Sequence, residues 1–194
     1  MSNTASDLPI LAFPHRGAWE AWLERNHATS PGVWLKLAKK GAPSSTVTYA
    51  EALEEAIRYG WIDGQKRGYD ESYWLQRFTP RGPRSRWSQV NRRKAAELIE
   101  QGRMRPAGLA QVRAAQQDGR WEQAYQSQSA ATVPPDLQEA LDRHPAAKEF
   151  FGTLTGARRY AFLYRLHHVR GAAARAKRIE GYIELLSAGR TLHD

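Results

Sequence analysis

The residues best able to do chemistry collect between Gly64 and Lys94. Nine cations lie there (Lys66, Arg67, Arg77, Arg81, Arg84, Arg86, Arg92, Arg93 and Lys94) against Asp70 and Glu71 alone. Nine minus two leaves an excess of seven, most of the +9 net charge of the 194-residue chain. A guanidinium fork suits the paired oxygens of phosphate or carboxylate. Arg81, Arg84 and Arg86 precede a predicted helix that Ser85 or Ser88 can cap, and the free N–H groups and dipole of a helix start favour a negative group. The expected anion-binding set is Lys66, Arg67, Arg77, Arg81, Arg84, Arg86 and Ser88. The same arginines can instead brace a proline-broken loop through its carbonyls, or pair with Asp63, Asp70 or Glu71.

Two other chemistries can be read from the same stretch. Asp63, beside Gly64 and near Lys66, Asp70 and Glu71, can serve as a general base in a basic pocket. Trp61, Tyr69, Trp74 and Trp87, interleaved with cations, have the composition of a base-stacking surface, where each stacked base contributes about 1–3 kcal/mol. Against the second reading, Trp61 directly follows a helix end where it would cover a sheet, and no recognised nucleic-acid motif accompanies the rings.

His27, His167 and His168 are the histidines to watch, but adjacent histidines on a helix diverge by about 100° and cannot grip one metal from one face. There is no HExxH, phosphate-binding loop, dinucleotide glycine pattern or nucleophile elbow. The chain has no cysteine, which excludes disulfides, thiolate metal sites and Cys nucleophiles. No metal or cofactor is expected, and the patterns favour a binding protein over an enzyme.

Hydrophobic periodicity supplies the elements that must position these groups. Trp19, Trp22 and Leu23 predict a helix over 16–26. Val33, Leu35 and Leu37 alternate as one face of a strand. Thr48 and Glu51 form a capping box for a helix that carries Leu53, Ala56 and Ile57 inward and ends at Gly60. Residues 62–67 and 73–78 predict a hairpin, although Asp63-Gly64 can also be read as a tight turn that shortens its first arm.

Further helices are expected from about 88 to 101, with Val90, Leu98 and Ile99 inward, and from Pro106, with Leu109 and Val112 inward. The rest reads as helical over 135–143, 145–152, 155–170 and 172–188. The expectation is an α+β fold: a small antiparallel sheet with packed helices, then a C-terminal helical bundle. Its parts are a flexible N-terminus (1–9), an α+β domain (10–126), a linker (127–134), a helical domain (135–190) and a tail (191–194).

With 41% hydrophobic and 10% aromatic residues the chain can build a packed core. Its start lacks a secretory pattern and no stretch is long and apolar enough to span a membrane, so a cytoplasmic protein is expected. The positive charge favours anionic partners: a phosphorylated small molecule, nucleic acid or an acidic surface. A further cationic set, Arg158, Arg159, Arg165, Arg170, Arg175, Lys177, Arg178 and Arg190, can recruit a protein partner through the C-terminal helices, or simply be a solvated face.

Four blocks carry a resemblance: YxEAxxEAxxxGWIDG (Tyr49 to Gly64), RFTPRxPRSxWSxxN (Arg77 to Asn91), ELIxxGRMxPAGL (Glu97 to Leu109) and DGRWxxAY (Asp118 to Tyr125). In order and spacing the chain resembles the YdeI/OmpD-associated, or bacteriocin-protection, proteins from about Phe13 to Arg190. It departs at Val169 to Ile179, where the family's Pro-Glu-Thr is missing. The resemblance implies a link to tolerance of bacteriocins or cationic antimicrobial peptides and to an outer-membrane porin, and it offers no catalytic residues to carry over. A basic protein without an export signal is ill suited to sequester cationic peptides outside the cell, so any protection is expected to be indirect and cytoplasmic. The resulting expectation is a non-enzymatic anion-binding protein. The alternatives are an enzyme on a phosphorylated or acidic small molecule with Asp63 as base, and a nucleic-acid-binding protein.

Overall fold

The computed structural model describes residues 8–192. Most of the segment expected to be flexible, 1–9, and the end of the expected 191–194 tail lie outside the described residues. The chain divides between Ala124 and Tyr125 into two compact units.

The first unit contains β1 (Ile10–Leu11), α1 (Arg16–Asn26), β2 (Val33–Ala38), α2 (Tyr49–Arg58), β3 (Trp61–Gly68), β4 (Tyr73–Pro80), α3 (Gln89–Glu100) and α4 (Pro106–Gln117). The strands form one sheet in the order β1-β2-β4-β3. β4 runs antiparallel to both β2 and β3, as the alternation predicts. The parallel edge strand β1, set by Ile10 opposite Trp34, is an addition. Two residues are too few to show a period.

Opposite strand faces get opposite treatment because successive side chains alternate. Val33, Leu35, Leu37 and Phe78 turn toward the helices and are buried with Trp19, Leu23, Leu53, Ala56, Ile57 and Leu98 in one core. Trp61 is buried there too, with its ring edge-on to Trp22 at 5.8 Å between centroids. Two of these indoles satisfy their N–H on backbone: Trp19 Nε1 donates to Ala52 O at 3.1 Å and Trp61 Nε1 to His27 O at 3.1 Å. Trp61 is scaffold, because a buried, hydrogen-bonded indole offers no face to a base.

α2 is the hub of this unit. Thr48 and Glu51 make the reciprocal capping box, and Gly60 follows the helix at φ 76°. Its flank also binds charge. Glu55 is fully buried and pairs with Arg58 and, at 2.5 Å, with Arg16. Glu54 pairs with Arg16 at 2.6 Å and Arg103 at 2.7 Å, while Glu20 pairs with Arg58 at 2.8 Å and Arg105 at 3.3 Å. Burial works to raise the Glu20 and Glu54 carboxyls, but their arginine partners outweigh it and hold both below the ordinary glutamate value. Four of the chain's arginines are thus committed to carboxylates inside the scaffold.

The second unit is a helical bundle of α5 (Pro135–Asp142), α6 (Pro145–Thr153), α7 (Gly156–His167) and α8 (Ala172–Ser187). Leu137, Leu141, Phe151, Phe162, Leu166, Tyr182, Ile183 and Leu186 form its core. Phe162 and Tyr182 meet edge-on at 4.9 Å. Ala131 and Val133, from the segment read as a linker, pack against that core, and no helix or strand is formed over residues 127–134.

One core assignment is corrected: Ile99 is 40% exposed. Leu98 already occupies the inward position of α3, and the next residue on a helix turns about 100° away.

Candidate functional site

The hairpin that carries most of the predicted site is irregular where it matters. Asp63 lies opposite Phe78 and Lys66 opposite Gln76, so three steps along β3 match two along β4. This is a β-bulge, in which the bulged strand carries one extra residue. Without it, residues 63 and 66 would point to opposite faces. With it, both share the helix-bearing face.

Gln76, 4% exposed, secures the bulge by donating its amide to the Gly64 carbonyl at 2.9 Å and the Gln65 carbonyl at 3.3 Å. The Arg77 guanidinium lies close by: a Cβ at Gly64 would come within 2.9 Å of Arg77 Nε, so a larger residue there would displace that side chain. Asp63-Gly64 is therefore no tight turn, and the strand continues to Gly68.

On the helix-bearing face Asp63 is half-buried and held at both oxygens. The Tyr49 hydroxyl donates to Oδ2 at 2.8 Å, and Asn91 Nδ2 approaches Oδ1 at 3.4 Å. Lys66 Nζ lies over the Trp74 ring at 4.3 Å, and Trp74 is 6.0 Å from the Tyr49 ring. Tyr49 and Trp74 also line a cavity of about 410 Å³ bordered by the 37–48 segment. Of this cluster, Tyr49 and Trp74 reach the cavity, and Asp63 is linked to it through the Tyr49 hydroxyl.

The opposite face is built differently. Arg67 lies over the Trp34 ring at 4.1 Å, and Lys36 over the rings of Tyr73 at 4.0 Å and Tyr69 at 4.7 Å. Arg77 stands opposite Trp34 in the register. Arg67 and Tyr69 are exposed; Lys36, Tyr73 and Arg77 are half-buried. Among the described residues, none of Lys36, Arg67 and Arg77 has a carboxylate within ion-pair distance, in contrast to Arg16, Arg58, Arg103 and Arg105.

The loop before α3 spends part of its charge on itself. Arg81 is 5% exposed, stacks on Trp87 at 3.6 Å and donates to the Arg86 carbonyl at 3.1 Å. Trp87 is itself 2% exposed, so it too is scaffold. Ser88 caps α3 by accepting the Asn91 N–H at 3.1 Å, while Ser85 accepts the Gly82 N–H at 3.0 Å. Arg84 and Arg86 are exposed.

The seven predicted anion-binding residues therefore divide three ways. Lys66 goes to the helix-bearing face with Asp63, Arg67 and Arg77 to the other face, and Arg81, Arg84, Arg86 and Ser88 to the loop. Sequence reasoning missed Trp34, Lys36 and Tyr73 on one face and Tyr49 and Asn91 on the other. A signal existed for the first group: if Val33, Leu35 and Leu37 face inward, Trp34 and Lys36 must face outward with the other alternate set. No pattern in the chain announced the Tyr49–Asp63 contact.

No curated protein and no solved structure matches the chain. Residues 11–111 match a family described as a domain of unknown function (DUF8412), and residues 130–189 match the family described as Bacteriocin-protection, YdeI or OmpD-Associated. The first match lies in the sheet-bearing unit and the second in the helical bundle. The second unit thus carries a stretch similar to the bacteriocin-protection, YdeI or OmpD-associated family, and the chain, matched over half its length, belongs to the DUF8412 family.

Proposed function

We propose that this protein is a non-enzymatic binder of phosphate-bearing anions, and that the sheet face of Lys36, Arg67 and Arg77 is its contact surface. The observation that carries the reading is the contrast between two sets of cations in one unit. Arg16, Arg58, Arg103 and Arg105 are paired with Glu20, Glu24, Glu54 and Glu55, whereas Lys36 and Arg67 rest on aromatic rings. A cation over a ring keeps its charge and its outward N–H donors for a ligand. The family description suggests a role in bacteriocin or antimicrobial-peptide tolerance. With a net charge of +9, such a role fits an indirect, cytoplasmic action better than capture of cationic peptides by the whole surface.

The test is a titration of the full chain with short inorganic polyphosphate and with a single-stranded oligonucleotide, at low and at physiological salt. Binding should weaken with salt and fall by on the order of tenfold in the Lys36→Ala/Arg67→Ala double variant. Unchanged binding in that variant, with an unchanged melting temperature, rejects the surface. Preference for the oligonucleotide over polyphosphate of equal charge supports the nucleic-acid alternative, with Tyr69 and Tyr73 supplying ring faces.

A second reading rests on Asp63. Tyr49 and Asn91 hold its carboxylate, Lys66 shares its sheet face, and Tyr49 lines the 410 Å³ cavity, a set that suits acid/base work on a small molecule. If Asp63 is a general base, an activity found with phosphorylated or acidic small molecules disappears in Asp63→Asn.

A further inference from the structure

The bundle holds a groove whose rim carries the opposite charge. Between α5 and α8 runs a groove of about 660 Å³, lined on one side by Asp136, Glu139, Ala140, Arg143 and His144. On the other side stand Ala172, Arg175, Ala176, Ile179, Glu180, Ile183 and Glu184. The lining residues of each helix recur at three- and four-residue steps, so the groove follows the helix axes. Its α8 wall spans thirteen residues from Ala172 to Glu184, roughly 18 Å or three helical turns, and the facing wall runs from Asp136 to His144.

Its floor is apolar and narrow-shouldered. Ile179 and Ile183 close the bottom from the core, and Ala140, Ala172 and Ala176 present only methyl groups. Ala172 and Ala176 are exposed. Small residues at four-residue spacing let a second helix backbone approach closely.

The rim is acidic. Residues 125–194 contain ten Lys or Arg and seven Asp or Glu, a net charge of +3, yet four of the seven acids line this groove with only two arginines. One of those arginines is spent: Arg175 pairs with Asp136 at 2.5 Å and donates to the Leu166 carbonyl at 2.9 Å. His144 is likewise held, its Nδ1 2.8 Å from the Ala140 carbonyl. Glu139, Glu180 and Glu184 remain at the rim against Arg143, all four exposed. Among the described residues none of these three glutamates forms an ion pair.

We infer that this groove takes a basic amphipathic helix of a partner polypeptide. Three observations converge on that occupant: length for about three turns, a floor for apolar anchors at i, i+3, i+4 and i+7, and carboxylates along the edges to receive Lys or Arg. A small organic cation needs neither the length nor the methyl-lined floor. An acidic helix is repelled by the rim.

The experiment uses the full chain and a fluorescein-labelled Leu/Lys 14-mer with leucines at helical spacing, read by anisotropy, with a Leu/Glu 14-mer of the same pattern as control. Two variants probe the groove independently: Ala176→Trp fills the floor, and Glu180→Lys/Glu184→Lys reverses the rim. Circular dichroism melts confirm that each is folded. The Leu/Lys peptide should bind the parent chain, lose on the order of tenfold or more in affinity in each variant, and shift amide resonances of α5 and α8. Absence of binding to the parent chain overturns the inference. So does parental affinity in both folded variants, or resonance shifts confined to residues outside α5 and α8.

Discussion

The Tyr49 hydroxyl donates a 2.8 Å hydrogen bond to Asp63 Oδ2, tying the first turn of α2 to the start of the bulge in β3. The bond joins the helix that organises the core to the strand irregularity that places Asp63 and Lys66 on one face. Tyr49 is 37% exposed, so solvent partly replaces what the bond supplies. Tyr49→Phe and Asp63→Ala should each lower unfolding stability by about 1 kcal/mol in urea titrations. Because both remove the same contact, the double variant should lose clearly less than the sum of the singles. Full additivity means that the pair is not coupled.

Gly108 carries a prediction opposite in sign to helix propensity. Inside an exposed helix, Gly to Ala stabilises by about 1 kcal/mol. Here a Cβ would stand 2.8 Å from the Ile57 carbonyl and 2.6 Å from Met104 Sδ, as well as against the Arg58 carbonyl. Two of those three neighbours are backbone of α2 and cannot rotate away. Gly108→Ala should therefore destabilise by about 1–3 kcal/mol through overpacking. A raised melting temperature would show that α4 sits less closely on α2 than this geometry requires.

The charge network of α1, α2 and the segment before α4 sets an acid limit. Glu20 and Glu54 have folded-state pKa values below the unfolded value, despite burial, because of Arg58, Arg105, Arg16 and Arg103. Their contribution is therefore complete at pH above the ordinary glutamate value of about 4.3 and is lost as pH falls through the lower folded value. In the bundle, the hydrogen bond from Arg175 lowers Asp136 in the same direction. Urea midpoints measured from pH 7 down to pH 3 should fall steeply only toward the acidic end. Glu54→Gln should flatten that slope, and an unchanged slope would locate the acid sensitivity elsewhere.

The parts of this structure legible in the sequence are those governed by local rules. The capping box of Thr48 and Glu51, the glycine after α2 and the period-two pattern of Val33, Leu35 and Leu37 each constrain only neighbouring residues. What escaped was non-local. A two-residue strand such as Ile10–Leu11 has no period, and its pairing depends on Trp34 being alongside. Cations close in sequence were separated by strand alternation, which sends Lys66 and Arg67 to opposite faces. The charge count was right, but it took no account of Arg81 being stacked on Trp87.

Arg81 brings this last point to a test. In sequence it stands with Arg84 and Arg86 as one cationic loop, yet it is 5% exposed, lies 3.6 Å over Trp87 and donates to the Arg86 carbonyl at 3.1 Å. A desolvated cation–π contact is worth about 2 kcal/mol, and removing a charged donor adds to the loss by leaving the carbonyl short of a partner. Arg81→Ala should therefore destabilise by about 2–4 kcal/mol, whereas Arg84→Ala, at an exposed position, should change stability by less than about 0.5 kcal/mol. Arg81→Lys keeps the charge but not the planar stack, so it should recover only part of the loss. Calorimetric melts of the three variants, set beside their polyphosphate titrations, separate brace from ligand. If Arg81→Ala melts like the parent chain and loses phosphate binding, Arg81 belongs to the binding surface, and its stack on Trp87 is the resting position of a ligand-contacting arm.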